Sequence, residues 1–302
     1  MSKIKSLSAL AATVSALLSF PVSAVAYDGG SYSGGSYGGS DCAGGTSSSF
    51  GGSRSLQVVG LTKQNQLVCF NEFSPMQAQS INFVSNLSGG DTVLVGIDFR
   101  PANGLLYGVG NAGGVYQIST SNAVATLVNR LSVALDGSDS YGVDFNPVVD
   151  RLRIVSSKGQ NLRHNLAGTT LVDSALNYAG VTALGIGGSA YTNNDADLNT
   201  ATTLYALDTS LDQIAVQSPP NAGTLAATGK LTLDAGLIAG FDVYSTVRNG
   251  STVDVQSLAS IKLPDGSTGL YSIKLPTGKA TSRGSFAGNL EVTDIAIPLN
   301  QL

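Results

Sequence analysis

The residues best suited to chemistry in this chain are aspartates that recur in a fixed local pattern. Asp98, Asp144 and Asp242 each follow a glycine and an apolar residue. One interpretation is a ring of carboxylates that binds calcium, whose preferred ligands are oxygen atoms. The alternative is that each aspartate caps its own turn by accepting backbone N–H bonds. The residue types leave both interpretations open.

A second group of oxygen ligands lies in residues 192–200. Asp195, Asp197 and Asn199 stand at alternate positions, the spacing with which calcium loops begin. The pattern then departs from such a loop, because Thr200 replaces the expected glycine and Ala206 the expected glutamate. An exposed turn is the alternative. Since the single histidine and the two cysteines lack zinc-site spacing, we expect no cofactor, and calcium is the only one that these patterns would suit.

The segment from 150 to 165 concentrates charged and amide side chains in a chain that is only 12% charged. Strand alternation places Arg151 and Arg153 on one side of a strand, where two guanidinium groups would suit a carboxylate, sulfate or sugar-acid ligand. The alternative is that they pair with Asp144, Asp150 or Asp173. The candidate ligand-binding residues are Arg151, Arg153, Asn161, Arg163, Tyr191, Asn193, Asn194 and Asn221.

No assembled catalytic set is evident in the sequence. His164 is flanked by Arg163, and we expect it at the surface rather than in the role of a general base. The first hypothesis is therefore a non-enzymatic binding or scaffold domain for a carbohydrate or another exported protein. The second is a calcium-dependent hydrolase of the propeller lactonase or esterase type, and the third is a cell-surface or matrix component.

The N-terminal residues 1–26 have the pattern of a signal peptide. Lys3 and Lys5 precede an apolar run, and Ala24 and Ala26 form a small-residue cleavage pattern. We expect export to the periplasm or the medium, with no membrane span after cleavage. Residues 27–53 are rich in Gly, Ser and Tyr, which is typical of a disordered arm. In an oxidising compartment, Cys42 and Cys69 could form one disulfide, although two separate thiols remain the alternative.

The charge balance argues against nucleic acid as a partner. After loss of the signal segment, 14 basic and 20 acidic residues leave a net charge of −6, and no basic footprint remains. Glu72 and Glu291 are the only glutamates among the acidic residues. Because aspartate favours turns and glutamate favours helices, this composition indicates strands joined by turns.

Beyond the arm, the chain repeats a unit of four short strands. The units begin at Gly96, Gly142, Gly185 and Gly240, at spacings of 46, 43 and 55 residues. Turn sequences such as Pro-Ala-Asn-Gly at 101–104 separate the apolar runs. A period of 40 to 50 residues with four strands per unit is typical of a β-propeller.

The first unit lacks its first strand. Residues 56–61, 66–71 and 81–87 match the second, third and fourth strands, and residues 292–299 alternate like an innermost strand. We therefore expect an all-β domain over residues 54–302, a five-bladed propeller closed by the C-terminal strand. The predicted blades span residues 56–90 with 291–300, 91–135, 136–180, 181–235 and 236–288. Six blades or a two-sheet sandwich are the alternatives.

Several of these segments resemble an uncharacterised family of exported bacterial proteins known only as a domain of unknown function. The resemblance rests on GIDFRPANGLLYGVG, FNPVVDRLRIVSSKGQNLRHN, AYTNND with TTLYALD, QSPPNAGTL and GFDVYS. It covers residues from about 56 to 299 and implies a propeller-like secreted domain, without an activity or catalytic residues to transfer. The chain departs from the family by a longer segment in its last unit, residues 245–267.

Overall fold

The computed structural model describes residues 55–193, 195, 197, 199–248, 251–288, 290–299 and 301. The predicted signal peptide (residues 1–26) and arm (residues 27–53) lie outside these residues, so both stay predictions. Within the described chain, no helix is long and apolar enough to span a membrane.

Five four-stranded antiparallel sheets form the blades of a propeller, as the sequence predicts. Strands are numbered in chain order. The first blade contains β1 (Gln57–Thr62), β2 (Gln66–Asn71), β3 (Gln79–Phe83) and, inside β1, the last strand β22 (Val292–Ala296). The second contains β4 (Leu94–Phe99), β5 (Leu106–Gly110), β6 (Gly114–Ile118) and β7 (Ala125–Arg130). The third contains β8 (Tyr141–Asn146), β9 (Arg151–Ser156), β10 (Asn161–His164) and β11 (Thr170–Val172).

The short hairpin of β12 (Asn177–Tyr178) and β13 (Val181–Thr182) follows the third blade. The fourth blade contains β14 (Ile186–Tyr191), β15 (Leu204–Asp208), β16 (Gln213–Gln217) and β17 (Leu225–Lys230). The fifth contains β18 (Ala239–Arg248), β19 (Ser251–Lys262), β20 (Thr268–Lys274) and β21 (Lys279–Ser285). Single 3₁₀ turns occur at Pro75–Gln77 and Pro220–Ala222.

The C-terminal strand closes the ring in the predicted way. In the first blade, β22 pairs antiparallel with β1 and places Ile295 opposite Gly60. This pairing joins the two ends of the propeller chain in one sheet. Closure of this kind removes the exposed sheet edge that an incomplete blade would present.

The outer strand of the first blade ends earlier than the sequence predicts, at Phe83 instead of residue 87. The following residues cross to the second blade. Ser85 N–H donates to the carbonyl of Ala123 at 3.2 Å, and the Ser85 carbonyl accepts from Ala125 N–H at 3.0 Å. This backbone pairing between blades takes residues 84–87 out of the strand.

The hydrophobic core consists of clusters that lie between neighbouring blades. Between the second and third blades, Tyr107 packs edge-to-face on Phe145 with ring centroids 5.4 Å apart, and Leu152 and Ile154 are buried in the same cluster. Because strand side chains alternate between two faces, Arg151 and Arg153 face away from this cluster. The predicted alternation therefore separates the two faces, although Arg153 on the other face is buried as well.

The fifth blade carries a two-stranded extension. Its innermost strand β18 continues six residues past Asp242, to Arg248, whereas β4 ends one residue past Asp98. At about 3.3 Å per residue, the β18–β19 hairpin projects roughly 15 Å beyond the other inner strands. This extension lies in the part of the last unit where the sequence is expected to depart from the family it resembles.

His164 is completely buried, so the expectation of a surface position is wrong. Its Nε2 lies 2.7 Å from Asn129 Oδ1 of the second blade, and its Nδ1 lies 3.0 Å from Thr170 Oγ1. Asn129 Nδ2 donates to the carbonyl of Leu166, which turns Oδ1 towards the ring and assigns the imidazole proton to Nε2. Alternation in β10 sends Arg163 to the opposite face. The charge of Arg163 therefore did not indicate whether His164 is exposed.

Burial lowers the pKa of His164 to about 4, against an ordinary value of 6.5. The unfolded chain consequently binds a proton more readily, and stability is lost as pH falls from the ordinary value towards the folded one. Between about pH 7.5 and about pH 5.5, wild type should lose about 1 kcal/mol more unfolding free energy than His164→Gln. Urea unfolding at both pH values measures this difference, and parallel losses in the two proteins would contradict it.

Candidate functional site at the channel mouth

Three aspartates of the inner strands connect neighbouring blades at the propeller axis. Asp98 Oδ2 accepts the backbone N–H of Phe145 at 2.7 Å, and Asp144 Oδ1 accepts that of Tyr191 at 3.1 Å. Asp242 Oδ2 accepts the N–H of Ile297 at 2.6 Å. Each carboxylate therefore bonds the innermost segment of the next blade, in strands β8 and β14 and directly after β22. Asp98 and Asp242 also accept the N–H of the residue that follows them, at 2.7 and 2.6 Å, so they combine a local backbone bond with one to the neighbouring blade.

These hydrogen bonds define equivalent positions in all five blades. Tyr191 and Ile297 donate as Phe145 does, so Ala190 and Ala296 occupy the places that the aspartates hold elsewhere. The layer thus contains three carboxylates and two alanines. By the same register the glycine of the fourth unit is Gly188. The predicted start at Gly185 is displaced by three residues.

A fourth carboxylate, Asp294, lies one layer deeper and was missed by the sequence analysis. Its Oδ2 accepts the N–H of Ile97 at 2.8 Å. It stands two residues before Ala296, level with the glycines of the other inner strands. A Cβ added to Gly240 would lie 2.4 Å from the Asp294 Cα, so the glycine permits this close approach.

The three upper carboxylates converge. One oxygen from each of Asp98, Asp144 and Asp242 lies within 4.8 Å of the others. The side chains are at most 7% exposed, and none forms an ion pair with a cation among the described residues. Burying several charges together without a counter-charge is costly.

This cost raises the pKa values of the carboxyl groups in the cluster. Burial, and next the charge of Asp242, raise the pKa of Asp98 well above its usual value. Burial and the charge of Asp98 do the same to Asp144, burial raises the pKa of Asp294, and burial raises that of Asp242 to about 6. The folded protein therefore holds protons in this cluster at pH values where free aspartates have released them.

One oxygen of the cluster lacks a donor. Asp144 is 5% exposed, yet its Oδ2 accepts no hydrogen bond from any described residue. The cavity in front of it measures about 10 Å³, which is about the space that one water molecule requires. Its walls are formed by Asp98, Phe99, Pro101, Asp144, Phe145, Pro147, Tyr191, Asn193, Asp242, Val243, Ile297 and Leu299. An all-oxygen site of this size suits a single hard cation such as calcium.

The arginine-rich segment also assembles, around Asp173. Arg153 Nη1 and Arg163 Nε each lie 2.7 Å from Asp173 Oδ2. Arg153 further donates to Asn161 Oδ1 at 2.6 Å, to Asn221 Oδ1 at 3.0 Å and to the Tyr191 hydroxyl at 3.3 Å. Five of the eight candidate ligand residues thus meet in one network.

This network joins the third and fourth blades. Arg153 is 2% exposed, and its donors are occupied by Asp173, Asn161, Asn221 and Tyr191. The Asp173 pairing, which the sequence left as an alternative, forms within the third blade instead of between blades. Arg163 keeps a quarter of its side chain exposed and Asn221 is exposed, so these two are the members of the network most open to a solvent-borne ligand.

The remaining candidate ligand residues have different surroundings. Arg151 is half-buried, and its Nη1 has no hydrogen-bond partner within the described chain. Asn193 lines the mouth, donates its N–H to Ser245 Oγ at 2.8 Å, and accepts from Thr252 Oγ1 of the extension. Asn194 lies outside the described residues.

The loop with calcium-like spacing is held by its own side chains. Asp195 Oδ1 accepts the N–H of Asp197 at 3.0 Å, and Asp197 Oδ1 accepts that of Asn199 at 2.9 Å. These are turn-forming bonds to the residue two positions on, although Asp195 Oδ2 has no described partner. Among the disulfide candidates, Cys69 is disulfide-bonded, and Cys42 lies outside the described residues.

Comparisons with known proteins give a family and distant structures. A family model described as a domain of unknown function (DUF4394) matches residues 66–296. No curated protein matches the chain. A Bacteroides thetaiotaomicron protein of unknown function is 13% identical, with a TM-score of 0.46, over 82% of this chain and 68% of its own.

Two further structures are more remote. Hydrazine synthase of Kuenenia stuttgartiensis is 9% identical, with a TM-score of 0.41, over 66% of this chain. An auxiliary nutrient binding protein of Bacteroides ovatus is 13% identical, with a TM-score of 0.34, over 60% of this chain. The chain spans about half the length of each, 51% and 49%. At these scores neither similarity indicates a function.

The substitution Asp144→Asn should stabilise the cation-free protein at about pH 8 by about 1 kcal/mol or more, the free energy of one pKa unit. The amide keeps the acceptor for Tyr191 and removes one negative charge. Because the pKa of Asp144 is raised in the folded state, its charge destabilises the fold as pH rises above 3.8. The gain should therefore vanish below that pH.

Chemical unfolding of wild type and Asp144→Asn at several pH values, with a chelator present to remove bound cations, measures this gain. The matched control is Asp265→Asn, because Asp265 is fully exposed and its pKa is lowered by hydrogen bonds from Ser267. The control should bring no stabilisation at high pH. A loss of stability in Asp144→Asn at high pH would show that the cluster is not under electrostatic stress.

Proposed function

Because the chain belongs to the domain-of-unknown-function family DUF4394, which brings no activity with it, we propose a function from its own geometry. The protein is an exported, non-enzymatic binding domain that holds one calcium ion at the mouth of its channel. Asp98, Asp144 and Asp242 are the ligands, and the surrounding rim contacts the bound partner. Export to the periplasm or medium is supported by the signal-peptide pattern of residues 1–26.

The convergence of three buried carboxylates is the observation that carries this proposal. An acidic cluster alone would be weak support, since buried carboxyls can be neutralised by protons. The second support is Asp144 Oδ2, which faces the mouth from a buried side chain and has no described donor. A divalent cation there would offset the repulsion and supply the missing partner.

Calcium fits these ligands better than other metals do. Zinc prefers histidine and cysteine, and His164 is buried between the second and third blades, where it bonds Asn129 and Thr170. Magnesium requires near-ideal octahedral geometry and usually keeps several waters, whereas calcium accepts irregular sets of six to eight oxygens. The cavity beside the three carboxylates has space for about one water molecule, so one further oxygen, from water or from a ligand, could complete the calcium shell there.

Binding is favoured over catalysis by the composition of the rim. Pro101, Pro147 and Leu299 surround the mouth, with Asn193 as its amide. None of these residues is a nucleophile or a general base. The apolar groups would contact the ring of a carbohydrate, and the amide and the cation would contact its hydroxyl groups. A side chain of an exported protein would suit the same surroundings.

A calcium-dependent hydrolase of the lactonase or esterase type is the second candidate. It is favoured by one observation, that the three buried carboxylates border a cavity with space for about one water molecule. A calcium ion with an open position there could polarise a substrate carbonyl. Such a reaction would need water as the nucleophile.

Calcium should raise the melting temperature of purified residues 27–302 at about pH 7.5, and excess chelator should reverse the effect. A ligand at 100 times its dissociation constant adds about 2.7 kcal/mol to the unfolding free energy. Asp144→Asn should lose this response and Asp265→Asn should keep it. Metal content by mass spectrometry gives the stoichiometry, for which we expect one ion. Identical melts with calcium and chelator, together with absence of bound metal, would overturn the proposal.

The hydrolase is distinguished by turnover of chromogenic esters and lactones by the calcium-loaded protein. We expect no turnover above that of the Asp144→Asn protein. Turnover that requires calcium and Asp144, but not Asp265, would establish the hydrolase and displace the binding domain.

A further inference from the structure

The outer half of the fifth blade carries a row of basic side chains. The basic residues Lys279 and Arg283, with Thr281 between them, occupy alternate positions of β21 and so share one face of the sheet. Lys274 of β20 is directly opposite Lys279 in the antiparallel ladder. Like charges at opposed positions destabilise a sheet, so this pair favours an anion close by.

The described residues supply little negative charge to this row. Lys274 and Lys279 form no ion pair with any of them. Arg283 lies 3.5 Å from Glu72 Oε2, and its guanidinium carbon stands 4.3 Å from the centre of the Phe73 ring. Its Nε is buried and has no hydrogen-bond acceptor among the described residues. A quarter of the Arg283 side chain is exposed, so its positive charge adds to that of the two lysines.

The same side chains line a groove of about 170 Å³, whose walls also include Val255, Gln256 and Ser257 of β19. That volume is below the range of sites for whole small molecules. It is enough for one or two side chains of a longer ligand. Asp254, on the extension, accepts a hydrogen bond from Gln256 and is not part of the lining.

A free strand edge runs beside this groove. The pairing of β19 with β20 begins at Leu258 opposite Ser272. Residues 251–255 of β19 pair with β18 on one side only, and β20, which ends at Lys274, does not extend beside them. A strand edge of this kind can accept an added strand through main-chain hydrogen bonds.

We propose that the free edge of β19 and the adjoining basic groove bind an acidic peptide segment of another protein in an extended conformation. The segment adds as a strand beside residues 251–255. Its carboxylates contact Lys274 and Lys279, and the partly exposed Arg283 lies in the same groove. Thr252 of this edge donates to Asn193 at the channel mouth, but the basic groove shares no lining residue with the mouth and does not depend on calcium.

Fluorescence anisotropy with a labelled ten-residue peptide of alternating valine and aspartate tests this site at low ionic strength. The full mature chain should bind it, and should bind the matching valine–lysine peptide at least about tenfold more weakly. The double variant Lys274→Glu/Lys279→Glu should reverse this preference. Lys158→Glu makes the same kind of charge change at an exposed position of the third blade and should leave both affinities unchanged.

The double variant removes a repulsion between exposed lysines and replaces it with another of the same size, so we expect it to fold, with circular dichroism as the check. The single variant Lys274→Glu creates an opposite-charge pair and gives a second protein for the same titration. It should weaken binding of the acidic peptide by an intermediate factor. Equal binding of this peptide to wild type and both variants would overturn the site.

Strand addition is tested separately with peptides N-methylated at alternate residues, in both registers. Methylation blocks main-chain donors on one edge and leaves every carboxylate in place. One register should lose binding and the other should keep it. Equal binding in both registers would reject the added strand. Binding of polygalacturonate without binding of the peptide would instead make the occupant an acidic polysaccharide.

Discussion

The backbone of the innermost strands imposes the constraint on which the channel depends. Five strand edges meet at the axis of a closed propeller, where their N–H groups face one another with little access to water. Unpaired backbone groups in such a place are destabilising. Asp98, Asp144 and Asp242 satisfy the constraint by accepting N–H groups from the next blade, and Asp294 does the same one layer below. The same aspartates therefore connect neighbouring blades and bring buried charge to the axis.

This solution creates an electrostatic stress. Carboxylates that hold the inner strands together must lie close to one another, and burial raises the pKa values of the whole group. Protons relieve the stress at low pH. A cation would relieve it at neutral pH, because it neutralises the charges without breaking the N–H bonds. A structural requirement of the fold thus makes a binding site available, and the open oxygen of Asp144 indicates where an ion would enter.

Away from the axis, polar groups secure the blades in pairs. Arg153 reaches Tyr191 and Asn221 of the fourth blade, while His164 bonds Asn129 of the second. These side chains are fully engaged, so the third blade is polar for reasons of assembly. The fifth blade differs, because Lys274 and Lys279 lack described acidic partners and the extension leaves a strand edge open. We consequently expect a partner-binding surface on the fifth blade, where, among the described residues, lysines lack acidic partners and a strand edge lacks a neighbouring strand.

The sequence by itself determined the all-β class, the four-strand unit and the closure by the C-terminal strand. Period-two alternation, turn residues and the spacing of units are local properties of the sequence. The first unit lacks its first strand, and the C-terminal segment has the alternation of the strand that completes it. It also identified Asp98, Asp144 and Asp242 as one set, since they share a local pattern.

Only the tertiary structure decided which groups meet. Asp294 lacks the local pattern, and its place among the carboxylates follows from the register of β22 against β1. The pairing of Arg153 with Asp173 and the burial of His164 likewise depend on which face of a strand meets the next blade. Local alternation assigns side chains to two faces. The packing of the ring then decides which face is buried, because it brings together residues far apart in the chain.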